Sequence, residues 1–222
     1  VGSEMCIRDS QWEALADPLD GLPEDAEIHV GIDLSLEARK ANIAVAFERS
    51  DGYWHVEVVA SRAGFSWVPD WLNARRGSWF DGVVGLQSTG NAPSTVLVPL
   101  LDEAGIEVAE WRGAAMTGSV LAYTSAIRDG LVRHPGRAPG SEVPTLLETS
   151  ALGVKDRKLG DVALWDRDKS TGDAAPFIAT NVAWWMGHRV EEKPTSAYAD
   201  EEWQEEELDA ELEDDEGGML IF

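Results

Sequence analysis

Cysteine is almost missing from this chain. Cys6 is the only one in 222 residues, which excludes an internal disulfide framework and fits a reducing compartment. Long apolar runs are also missing. None approaches the roughly 18 residues that a membrane-spanning helix needs, so no membrane partner is expected. The N-terminus lacks the charged-then-apolar order of a signal peptide. There is no G-x-x-x-x-G-K-[S/T] phosphate loop, so ATP binding by these residues is not indicated. His29, His55, His134 and His188 are scattered, without metal-ligand spacing. Positive charge is scarce: 18 Lys and Arg stand against 41 Asp and Glu, a formal net charge of −23. At first sight that balance opposes nucleic acid as a partner.

The acids are not evenly spread. Residues 191–216 carry a net −13 with Lys193 as their only cation, leaving −10 for the rest. Such a block repels itself, and 191–222 is expected to be a disordered acidic tail. At the other end, VGSEMCIRDS differs in character from the remainder of the chain and resembles a translated sequencing-adapter read. With the Pro- and Gly-punctuated 11–26, it makes residues 1–26 an artefactual or linker segment. The domain expected to fold is 27–190.

Within it, 27–35, 41–49 and 53–60 read as three strands, the last pair joined by an Asp51-Gly52 turn. A Trp-rich helix is expected at 66–75, and a short buried strand at 82–87, parallel to the first. A helix at 93–104, a strand at 106–110 and a helix at 117–129 come next. Residues 142–153 are helical or irregular. A last strand at 162–165 precedes a last helix at 174–187. The ten tryptophans, Trp67, Trp71, Trp79, Trp184 and Trp185 among them, are expected in core and interface rather than as base-stacking platforms. A three-strand antiparallel meander followed by parallel strands, flanked by helices, is the order of a ribonuclease H-like α/β fold. Such a sheet brings strand ends from distant segments side by side.

The chemistry-bearing residues gather at those ends. Asp33 lies inside an apolar strand, HVGIDLSL. A buried carboxylate there needs a hydrogen bond, an ionic partner or a metal. Asp173 precedes a helix, a position that suits capping, and its second oxygen could serve a metal. Asp166 and Asp168 flank Arg167 in the loop before it. Mg²⁺ and Mn²⁺ take hard oxygen ligands, and paired carboxylates from several strands are what two-ion phosphodiester hydrolysis requires.

Four stretches, VGIDLS at 30–35, VVGLQSTGNAPS at 83–94, AIRDGLVRHPG at 126–136 and above all LGDVALWDRDKSTGDAAPFIATNVAWW at 159–185, resemble the C-terminal nuclease domain of the large terminase subunit of tailed bacteriophages. Asp161, Trp165, Arg167, Asp173 and Pro176 fit the family's last motif. The resemblance implies a ribonuclease H-like fold and metal-dependent cleavage of concatemeric phage DNA with two Mg²⁺ or Mn²⁺ ions. It makes Asp33 the bridging ligand and Asp173 the helix-start ligand. The family has a further acid where this chain has Gln87. That leaves an amide oxygen, or Asp161, Asp166 or Asp168, to complete the set, or a domain of weak activity. The implied partners are double-stranded phage DNA, an upstream ATPase domain, the small terminase subunit and the portal, in the host cytoplasm. The alternative is an inactive interaction module with an acidic tail.

Overall fold

In the computed structural model the described residues are 7–19, 23, 25–160 and 162–189. Cys6, Asp161 and the acidic stretch 191–222 lie outside them. A mixed six-stranded sheet is flanked by helices, in the order β5-β4-β1-β2-β3-β6. The meander is β1 (His29–Leu34), β2 (Lys40–Glu48) and β3 (Trp54–Ala63), antiparallel throughout. β4 (Val83–Leu86) and β5 (Glu107–Glu110) extend the β1 edge in parallel, and β6 (Val132–Arg133) lies parallel to β3. β2 is buried from Ala41 to Phe47, because both faces of the sheet are covered.

One face carries α2 (Val68–Asn73) and α3 (Val98–Glu103), packed on Ile32, Leu34, Ile43 and Leu86. The other carries α4 (Gly113–Arg128), α5 (Leu146–Gly153) and α6 (Ala175–His188), packed on Ala44, Ala46 and Val56. α5 opens on a reciprocal cap: Thr145 Oγ1 accepts from Glu148 N at 3.0 Å, while Glu148 Oε2 accepts from Thr145 N at 3.3 Å. Within the 142–153 segment the helix thus starts at Leu146, and 142–145 are irregular.

Two features depart from the sequence reading. The last strand, β8 (Val162–Asp166), does not join the main sheet. It pairs antiparallel with β7 (Lys155–Leu159) in a separate two-stranded sheet. β7 reads KDRKL, too charged to announce itself as a strand by apolar pattern. The second departure is the lead-in. α1 (Asp9–Glu13) and the residues after it pack on the domain, with Ile7, Trp12 and Leu15 all buried. Trp12 stacks on His134 at 4.3 Å, and its carbonyl accepts from His134 Nε2 at 3.0 Å. This stretch is docked structure where 11–26 reads as linker.

Candidate active site

The site is set by how closely α6 lies on the sheet. Gly31 in β1 pairs in register with Gly85 in β4. A Cβ on Gly31 would stand 2.3 Å from Ala179 O and from Ala183 N. One on Gly85 would meet Val182 and Met186 side chains at 2.7–2.9 Å. Two glycines side by side thus form a seat for α6, with its backbone on Gly31 and its side chains on Gly85. The seat carries the start of α6, with Asp173 just before it, to the end of β1, where Asp33 sits.

Asp33 is 1% exposed. Its cross-strand partner Asn42 is fully buried, with Nδ2 3.5 Å from Asp33 O and Oδ1 accepting from Ser61 Oγ at 2.8 Å. The Asp33 carboxylate itself is held by Arg167. Nη2 donates to Oδ1 at 2.8 Å, Nη1 donates to Oδ2, and Nη1 reaches Leu34 O at 3.4 Å. The pair is bidentate and buried, the geometry in which an ion pair is strongest and most costly to break. Burial pushes the Asp33 carboxyl up from its ordinary value; Arg167 pulls it back only in part, and nearby Asp173 adds to the rise. Burial works against the Arg167 charge, but Asp33, with Asp173 behind it, outweighs that and holds the guanidinium ionised.

Arg167 is aimed by the β7–β8 hairpin. Trp165 Nε1 donates to Asn181 Oδ1 at 2.8 Å, tying β8 to α6. The loop after it is closed by Lys155 N donating to Ser170 Oγ at 3.0 Å and by Thr171 N donating to Gly153 O at 2.8 Å. Asp173 Oδ1 accepts from Ala175 N at 3.0 Å, the capping contact its position suggests.

Two clefts flank Arg167, and both have Leu36 and Arg167 in their walls. One, of about 460 Å³, is lined also by Arg39, Lys40 and Asp173. The other, of about 510 Å³, is lined also by Gln87, Arg157, Asp166 and Asp168. The expected site residues therefore all border Arg167, but on different sides of it. Asp166 is 7% exposed and committed to its own loop: Oδ1 accepts from Lys169 N at 3.1 Å, and Lys169 Nζ lies 3.4 Å from Oδ2. Asp168 is exposed. Gln87 is half-buried, its Nε2 3.4 Å from Thr89 O.

By chemistry, Asp33 and Asp173 suit a hard divalent cation. As arranged they do not hold one. Both Asp33 oxygens are engaged by Arg167, and among the described residues no three acids, histidines or cysteines converge as a metal cluster. Arg167 is the site residue that the sequence reading placed in the motif without a partner; the structure pairs it with Asp33. Its signal was there, since a buried Asp in an apolar strand calls for an ionic partner as readily as for a metal.

The sheet order and flanking helices define a ribonuclease H-like α/β domain. Comparison of folds identifies its neighbours as large terminase nuclease domains. The HK97 bacteriophage large terminase superposes with a TM-score of 0.62 at 17% identity, covering 81% of this chain. This chain spans 43% of that protein's length. The large terminase nuclease of thermophilic phage G20c matches with a TM-score of 0.51 at 11% identity, over 79% of this chain and 97% of the nuclease. The same nuclease with bound magnesium gives 0.52 at 9% identity, over 80% of this chain and 93% of its own. No protein-family model and no curated protein matches by sequence.

Proposed function

We propose that this chain is a metal-dependent DNA endonuclease domain of a phage packaging terminase, cutting concatemeric DNA as genomes are packaged. One observation carries the reading: Asp33 and Asp173, carboxylates from segments far apart in sequence, lie near enough at the end of β1 to feel each other's charge and that of Arg167, which bonds Asp33. The fold likeness supports it, as does the magnesium in the G20c nuclease. So do the cations Lys40 and Arg157, which line the clefts of an otherwise acidic domain and suit a phosphate backbone. Asp33 and Asp173 are the proposed catalytic and metal ligands, with Gln87, Asp166 and Asp168 in reserve. A bound Mg²⁺ or Mn²⁺ pair supplies Lewis acidity toward a phosphodiester. The chain's own residues present two fixed carboxylates and a cationic rim. The ATPase domain, small subunit and portal are the partners this role implies, in the host cytoplasm.

The test is plasmid cleavage with Mg²⁺ or Mn²⁺. Asp33→Asn and Asp173→Asn are each expected to abolish nicking while circular dichroism stays unchanged. Cleavage surviving in both variants sinks the assignment. A second reading, a non-cleaving interaction module, is favoured by the Arg167 pair, which neutralises Asp33 without metal. Under the nuclease reading millimolar Mn²⁺ raises the melting temperature by mass action, and under the module reading it does not.

A further inference from the structure

The arginines of the domain divide by what they rest on. Arg39, Arg49, Arg112, Arg137 and Arg167 each pair with a carboxylate, as expected where acids outnumber bases. Arg62, at the end of β3, and Arg75 and Arg76, just after α2, form no ion pair with any described residue. They lie on aromatic rings instead. The guanidinium carbon of Arg62 is 5.1 Å from the Trp67 ring centre, that of Arg75 is 3.5 Å from Trp71, and that of Arg76 is 5.7 Å from Phe80. The rings adjoin one another, Trp67 edge-on to Trp71 at 6.3 Å and Trp71 edge-on to Trp79 at 6.0 Å. Backbone carbonyls steady two of the cations: Arg75 Nη1 donates to Trp71 O at 2.8 Å, and Arg76 Nη2 donates to Gly105 O at 2.8 Å. A ring and a carbonyl fix a guanidinium without cancelling its charge. Arg62 and Arg76 are exposed, and residues 61–80 hold one acid, Asp70, against these three cations.

Resting on the nuclease reading above, we propose that Arg62, Arg75 and Arg76 form a contact surface for the backbone of duplex DNA, outside the clefts. It begins beside one of them: Lys40, in the wall that Asp173 shares, pairs in register with Ala63, the residue after Arg62. A guanidinium held on a ring keeps N–H donors for a phosphate, which it can bind bidentately. The tryptophans serve as supports for the cations rather than as platforms for bases. The surface therefore supplies grip without sequence preference, on a body whose net charge repels the same ligand. Fixed cations favour a stiff partner. A duplex presents its phosphates already in place, whereas an acidic peptide must be ordered first at an entropic cost.

The experiment is fluorescence-anisotropy titration of a labelled blunt duplex with the full chain, across a sodium chloride series, in EDTA so that no cleavage intervenes. Wild type is expected to bind at low salt and to weaken as salt rises. Arg62→Gln is expected to lower the slope of log affinity against log salt by about 0.9, the value of one phosphate contact. Changing Arg62, Arg75 and Arg76 together to Gln is expected to lower it by about 2.7 and to weaken low-salt binding at least about tenfold. Arg112→Gln removes the same single charge from the pair with Glu110 and should leave the slope where it was. No binding by wild type, a slope unmoved by Arg62→Gln, or one lowered as much by Arg112→Gln overturns the proposal. Polyglutamate bound by wild type as tightly as the duplex overturns it in favour of an acidic protein partner. Should the triple variant not fold, Arg62→Gln decides alone, since its side chain makes no hydrogen bond to the described residues. Plasmid cleavage keeps the two readings apart. Wild type that cleaves while Arg62→Gln keeps the full slope sinks this surface only. A slope lowered as expected, in a chain that never cleaves, supports the surface and sinks the nuclease reading instead.

Discussion

The two structures that meet at Asp33 are built on opposite principles. The seam between α6 and the sheet is apolar, buried and dimensioned by glycine: Gly31 lets the helix backbone rest directly on β1, and Gly85 receives its Val182 and Met186 side chains on β4. The β7–β8 hairpin is charged and partly exposed, and it is held to the body by Trp165, whose ring packs edge-on to Phe177 and whose Nε1 donates to Asn181. The seam carries the acids, and the hairpin carries the cation that covers them. Groups that must keep a fixed spacing belong on the first kind of support. The second kind opens locally at less cost than unfolding the domain.

The sharpest way to break this contrast is Gly31→Val. Its Cβ would fall 2.3 Å from two backbone atoms of α6, and nothing flexible stands there to yield. A loss above about 4 kcal/mol is expected, enough to unfold most of a marginally stable domain. A variant that melts like wild type would remove the seam's claim to rigidity. Trp165→Phe tests the hairpin side. It leaves Asn181 Oδ1 buried without its donor, at a cost of about 1–3 kcal/mol in urea unfolding. Amide exchange should quicken in 155–170 before it does in β1. Uniform quickening would mean that the two regions open as one.

Acid sharpens the comparison at the far end of the seam. There His29 stacks on Trp54 and His188 on Trp184, and burial lowers the pKa of both from the ordinary imidazole value, as it does for His134. The unfolded chain takes up these protons first. The stability in question is therefore present above about pH 6.5 and lost as pH falls below it. The melting temperature should drop between about pH 7.5 and about pH 5.5, where a flat profile would contradict the lowered imidazole pKa values. The smallest effect is expected from Lys169→Ala on the hairpin loop. Its ammonium is 72% exposed, so the ion pair with Asp166 is worth less than about 0.5 kcal/mol in thermal melts. A larger loss would show the hairpin to be stiffer than drawn.

The legible and illegible parts of the sequence divide along the same line. Alternation and apolar runs announce β1 to β5, and a long apolar helix after Asp173 announces α6, because burial writes itself into residue type. Asp33 stood out for the same reason, as a charge where the pattern asks for none. β7 was illegible: its residues are charged and its only strand partner is β8, so no core imprints on it. Arg167 was visible in the chain, yet its attachment to Asp33 spans 134 residues and depends on a hairpin that the pattern does not reveal. Trp12 looked like part of a linker because the residues that bury it, His134 and Phe177 among them, lie far away in sequence and no periodic face surrounds it locally.

The turn that leaves β1 has a consequence of its own. Glu37 and Ala38 both take left-handed backbone angles, φ 58° and 53°, although neither is glycine. Each such residue stores about 1–2 kcal/mol of strain. The chain thus carries a standing elastic load in the wall beside Asp33, and the load sets the contour of that wall before any guest arrives. A ligand that fits this contour has no ordering cost left to meet there, whereas Ala38→Gly would release the tension and let the contour wander.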